Sequence, residues 1–174
     1  MTLVEQFQEP ADFWKGMVLP DSGEYQADPG DLRKALHLAI SLFHMHDWVF
    51  NFHEQVIMQS FTFVDRSGNT DVVDKSSKFA NYLGVNYPDF ELIRGIANAA
   101  KHLQLTSWSP NPDTPTHSAN LTSQSLGGSS YGIGPYGGGP QIMLKTDNAD
   151  QHFSQIAKNV ETMWTSLNST HCWW

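Results

Sequence analysis

Between Asp31 and Ser60 the chain contains no proline and no glycine, and its apolar residues recur at helical spacing throughout. Asp28 before Pro29 has the form of an N-cap followed by proline at the first helical position, so the pattern predicts one helix from there to about Gln59. Leu32, Leu36, Ala39, Phe43 and Phe50 project to one side of it. Leu38, Leu42, Met45, Val49 and Phe52 project to a neighbouring side. An apolar arc this wide needs several other elements to cover it, which constrains the fold to a bundle with this helix at its centre. A chain of 174 residues is enough for one such domain with a substantial core.

The remaining segments supply the covering elements. Residues 1–28 hold Pro10, Pro20, Gly16 and Gly23, which predicts an irregular arm with room for a short helix near Pro10 to Met17. Phe61 to Val64 has the character of an extended piece followed by a turn at Arg66 to Asn69. Val73 to Leu83 predicts a short helix stopped by Gly84, and Pro88 opens another. After Leu105 a Ser, Pro, Asn and Thr segment predicts a loop. Residues 121–125 and 141–146 then predict two strands joined by GGSSYGIGPYGGGP. That glycine run lacks the Lys-Ser/Thr and the following helix of a phosphate loop, so a hairpin tip is the better reading. Phe153, Ile156, Ala157, Val160, Met163, Trp164 and Leu167 mark a C-terminal helix, with residues 171–174 as a tail. The expectation is one mainly α domain over residues 29–170, with a β-hairpin at about 121–146 inserted before the last helix.

The formal charge of −8 argues against a broad basic surface for nucleic acid, while leaving room for a small local site. The single Cys172 rules out an internal disulfide framework and fits a reducing compartment. No basic, apolar leader opens the chain and no run is long enough to span a membrane, so a cytoplasmic protein without membrane attachment is expected.

Two polar stripes interrupt the apolar pattern. On the long helix, Arg33, His37, His44, Asp47 and Asn51 share a stripe, with His46 and His53 projecting away from it. In RGIANAAKH, residues 94–102, Arg94, Asn98 and His102 fall with Glu91 in one quadrant, opposite Leu92, Ile96 and Ala99. Either stripe could be a solvated face. If they meet in one cleft, three uses are open: proton transfer and anion stabilisation for metal-independent RNA cleavage, a two-histidine, one-carboxylate metal site from His44, Asp47 and His102, or no chemistry.

The motif RGIANAAKH on a late bundle helix resembles the arginine, polar residue and histidine signature of the HEPN superfamily, compact helical proteins that dimerise and often act as RNases. FHMHDW and IRGIANAAKHLQL, followed by a two-stranded segment and a last helix, are similar to a group of uncharacterised bacterial proteins of HEPN-like build. The resemblance spans about residues 30 to 170. It implies a HEPN-like bundle acting as a metal-independent ribonuclease without a cofactor, in a toxin–antitoxin or phage-defence setting. His102 would be the general acid or base, Arg94 the phosphate ligand and Asn98 the orienter, with His44 and Asp47 supporting them. A homodimer, an RNA substrate and a cognate protein partner are the associations it implies. The alternative within the same resemblance is a non-catalytic interaction or sensing module.

Overall fold

A computed structural model describes residues 7–65, 67–101, 121–124, 141–145 and 150–174. The Ser- and Pro-rich loop before residue 121 and the glycine-rich hairpin tip lie outside these residues. The architecture is mainly helical with two small antiparallel sheets. Helices α1 (Pro10–Phe13) and α2 (Leu19–Ala27) flank a π-helical turn (Trp14–Val18). The long helix α3 (Leu32–Ser60) follows, then strands β1 (Thr62–Val64) and β2 (Thr70–Val72), and helices α4 (Ser76–Asn86) and α5 (Pro88–Lys101). Strands β3 (Leu121–Gln124), β4 (Gln141–Leu144) and β5 (Gln151–His152) precede helix α6 (Phe153–His171).

Helix α3 is the centre of the bundle, packed against α1, α2, α4, α5 and α6. Its cap is Asp31, whose carboxylate accepts from the backbone of Arg33 and Lys34 at 2.8 and 3.3 Å. Asp28, the cap expected from sequence, instead ends α2. Leu38, Leu42, Met45 and Val49 are fully buried, and the Trp164 indole of α6 donates to the Leu42 carbonyl at 3.0 Å. Phe52 departs from the expected stripe and is exposed, and at the next residue His53 leaves helical geometry (φ −116°, ψ 25°) and kinks the helix.

Residues 10–27 are not an irregular arm. Pro10 takes the first helical position, where its missing N–H costs nothing. Pro20 has no donor to continue the ordinary ladder, and the Leu19 amide bonds five residues back to the Trp14 carbonyl, so the chain passes Pro20 through a π turn and stays helical. Gly84 does not stop α4. It is buried within the helix, which runs two residues further to Asn86. Nor are residues 171–174 a loose tail. Cys172 adopts a left-handed conformation (φ 54°) that turns the chain back, and Trp173 is 2% exposed against Phe61, Phe79 and His171. His53 Nε2 donates to the Trp173 carbonyl at 2.8 Å, and Trp174 stacks on Trp14. The kink in α3 and this return of the chain are thus one structural feature.

The extended piece at 61–64 and the strands near 121–125 and 141–146 are present, whereas β2 and β5 were not expected: each pairs its neighbour and makes a two-stranded and a three-stranded sheet. In β1–β2, Phe63 lies opposite Asp71 with Phe63 facing the core. The second sheet has the order β3-β4-β5, with Ile142, Met143 and Leu144 buried and the Ile142 amide bonded to the Pro29 carbonyl. Among the described residues no helix is long and apolar enough to cross a membrane.

Among the described residues two buried side-chain groups stand without a hydrogen-bond partner, the Tyr25 hydroxyl and the Trp173 indole N–H. The Tyr25 hydroxyl is enclosed without a hydrogen-bond partner, and burial pushes its pKa up to about 12. An unpaired buried hydroxyl costs about 1–3 kcal/mol. Tyr25→Phe is therefore expected to keep the fold and raise stability by about 1 kcal/mol, read as a higher urea midpoint. A lower midpoint would mean that the hydroxyl has a partner after all, such as a bound water.

Candidate functional site

The first polar cluster forms where α3 passes the start of α4. His44 Nδ1 lies 3.1 Å from Asp47 Oδ2, a spacing of three residues that puts both groups on one helical face. An ionised carboxylate only accepts, so Nδ1 carries the proton and Nε2 is left as the basic nitrogen. The other Asp47 oxygen accepts from the Ser76 hydroxyl, at the first turn of α4, and faces His46 Nε2 at 3.3 Å. Asp47 thereby ties α3 to α4.

Histidine 46 corrects the sequence reading, which had it projecting away from this stripe. It is 4% exposed, with Nδ1 against the Phe43 carbonyl and the Phe90 ring edge-on to it. Burial lowers its proton affinity, outweighing the pull of the Phe43 carbonyl and the Asp47 charge, and the positive charges of His44 and Arg94 act in the same sense as burial.

The second cluster joins α4 to α5. Arg94 Nη1 donates to Asn81 Oδ1 of α4 at 2.8 Å and lies 3.5 Å from Glu91 Oε2 one turn back. Glu91 is 2% exposed and packs over Gly84, where a Cβ would come within 2.3 Å of Oε2. The stripe predicted to be either a site or a solvated face is therefore half-buried against α4. The Arg94 side chain keeps 24% of its surface exposed, and among the described residues its Nε and Nη2 make no hydrogen bond. An arginine anchored through Nη1 presents its side edge, two parallel N–H groups, to an incoming oxyanion.

Of the residues singled out from sequence, His44 and Asp47 meet the first turn of α4 at Ser76, and Arg94 meets its second turn at Asn81, so α4 touches both clusters. Asn98 is half-buried on the same helix as Arg94. His102 lies outside the described residues, and with it the metal site that needed His44, Asp47 and His102. Among the described residues no group of three or more His, Cys, Asp or Glu side chains is placed to hold a metal ion. Ser76 and Asn81 were missed, because a serine and an asparagine on a short helix carry no signal of their distant partners. His46 could have been found: it is only about 100° from Asp47 around the helix.

Burial acts to raise the Asp47 pKa, but hydrogen bonds from His44 and Ser76 and the charges of His46 and His44 outweigh it and bring it from 3.8 to about 2. An unfolded chain would take up this proton near its ordinary value, so the stabilisation is complete above about pH 4 and is lost as pH falls toward 2. The carboxylate is partly exposed, and screening reduces the effect to about 1 kcal/mol. Comparing unfolding midpoints of the wild type and Asp47→Asn across that window checks it: the difference should shrink with acid. Gly84→Ala should cost about 1–3 kcal/mol, since Glu91 is enclosed and cannot swing away. An unchanged urea midpoint would show that α4 and α5 can part without penalty.

Comparison of the chain with protein-family models, with curated proteins and with solved structures gives no match in any of the three.

Proposed function

We propose that the chain is a HEPN-like helical domain that binds an RNA phosphodiester on the wall of α3, α4 and α5 and cleaves it without a metal ion. The observation that carries this reading is Arg94, anchored to Asn81 and Glu91 through one nitrogen with its side edge open among the described residues, on a helix held by the same α4 that holds the His44–Asp47 pair through Ser76. In such a reaction a base removes the proton of a 2′-hydroxyl, the oxygen attacks phosphorus, and the P–O5′ bond breaks as the leaving oxygen is protonated. The products are a 2′,3′-cyclic phosphate and a 5′-hydroxyl. His44, with Nδ1 held by Asp47 and Nε2 basic, fits the base. Arg94 fits the cation that stabilises the phosphorane. By the resemblance, His102 is the general acid or base, which beside His44 leaves it to protonate the leaving oxygen, and Asn98 is the orienter. At about 1.5 Å per residue His102 is about 12 Å along the helix from Arg94, so a homodimer that brings in a second copy of the helix belongs to the same reading.

A second reading is favoured by the same arginine. Its contacts with Asn81 and Glu91 would hold α4 to α5 in a domain with no chemistry, which supports a non-catalytic interaction or sensing module. Activity separates the two. Purified protein is expected to cleave RNA in EDTA, with Arg94→Ala, His44→Gln and His102→Ala each losing about 10²- to 10⁴-fold, while exposed His37→Ala retains full activity. Light scattering is expected to give a dimer. Cleavage unchanged by all three substitutions, or none at all, would leave the interaction module as the reading.

A further inference from the structure

The cations available to a nucleic acid are few and their positions restrictive. Long RNA is held by many Lys and Arg side chains, each neutralising a phosphate. Here Lys78 is paired with Asp71 and Asp74, Lys34 with Asp28, and Arg33 with Asp31. The segments 102–120 and 125–140 contain no Lys or Arg in the sequence. On the wall itself Arg94 offers one open edge, fitted to two oxygens of one phosphate, and exposed Lys75 is next to Ser76 at the start of α4. The carboxylates of Asp47 and Glu91 stand beside these groups and repel further phosphates. The excess of 18 acidic over 10 basic residues in the chain adds to that repulsion, and exposed Lys15 and Lys158 lie on other elements, the π turn and α6.

We infer that this wall takes a single phosphate group, as carried by a nucleoside monophosphate or by one linkage of a short RNA, and does not track the backbone of a long one. The inference rests on the proposed reading in one respect only, that Arg94 faces the phosphate. Its own content is the size and charge of the ligand. Affinity should be set by one phosphate and the groups next to it, and lengthening the RNA should add only the statistical gain of more registers.

The test is titration of the full chain with adenosine 3′-monophosphate, a trinucleotide and an RNA of about twenty nucleotides, from about 50 to 200 mM salt. The trinucleotide and the long RNA should bind alike per register, with a log–log salt slope of about −0.7 to −1.4, as expected for one or two phosphates on a single strand. Arg94→Lys, which keeps the charge and loses the two-pronged edge, should weaken all three ligands on the order of tenfold. A slope steeper than about −3, with affinity climbing with length, overturns the inference and leaves the RNA reading standing. Binding of the monophosphate with neither RNA bound upholds the inference and overturns the RNA reading. No binding by any of the three overturns both.

Discussion

From Ala35 to Phe50 helix α3 buries most of its circumference, and the rest of the molecule is arranged by that fact. Leu38, Leu42, Met45 and Val49 must be covered, and α2, α5 and α6 cover them. Trp164 locks this packing by giving its N–H to the Leu42 carbonyl, so a large ring is buried without stranding a donor. The strip that remains carries His44 and Asp47, and it falls where the short helix α4 begins. Polar groups so placed neither face bulk water fully nor lie dry. Their properties are set by their neighbours, as the depressed Asp47 pKa records.

How far the sequence carried the reading depended on the range of the interaction involved. The long helix, the α5 helix opened by Pro88, the β3–β4 strands and α6 follow from periodicity and turn residues, which are local signals. The N-terminal helices were hidden because proline and glycine counts ignore position: Pro10 opens a helix, and Pro20 is bypassed by a π turn. Gly84 carries the local signal of a helix stop, whereas its role is to let Glu91 approach. The buried return of Trp173 depends on His53, far away in sequence, and no local pattern announces it. At the site, the chemistry-bearing residues were visible as stripes, whereas the partners that fix them, Ser76 and Asn81, come from an element whose placement only packing decides.

The two clusters differ in what they leave open. Asp47 is engaged on both oxygens, so its place is in holding His44 and drawing α4 to α3. Among the described residues Arg94 is engaged on one nitrogen and open on the others. A fully paired carboxylate beside a partly paired guanidinium gives a wall whose free hydrogen-bonding capacity is mostly that of a donor. An acidic chain can therefore still offer an anion a place, provided the anion is small enough to stay clear of Asp47 and Glu91.

Both clusters are anchored by α4, through Ser76 at its first turn and Asn81 at its second. This helix is short and would be marginal alone, so its place comes from packing. Phe79 and Leu83 are fully buried, with Phe79 against Phe50 and Phe61, and Tyr82 edge-on to Phe61. Phe61 in turn touches Trp173, which is tied to the kink at His53. The rigidity of the site is thus inherited from an aromatic cluster on the far side of α4. A disturbance of that cluster would loosen His44 and Arg94 together, because the same helix holds the partners of both.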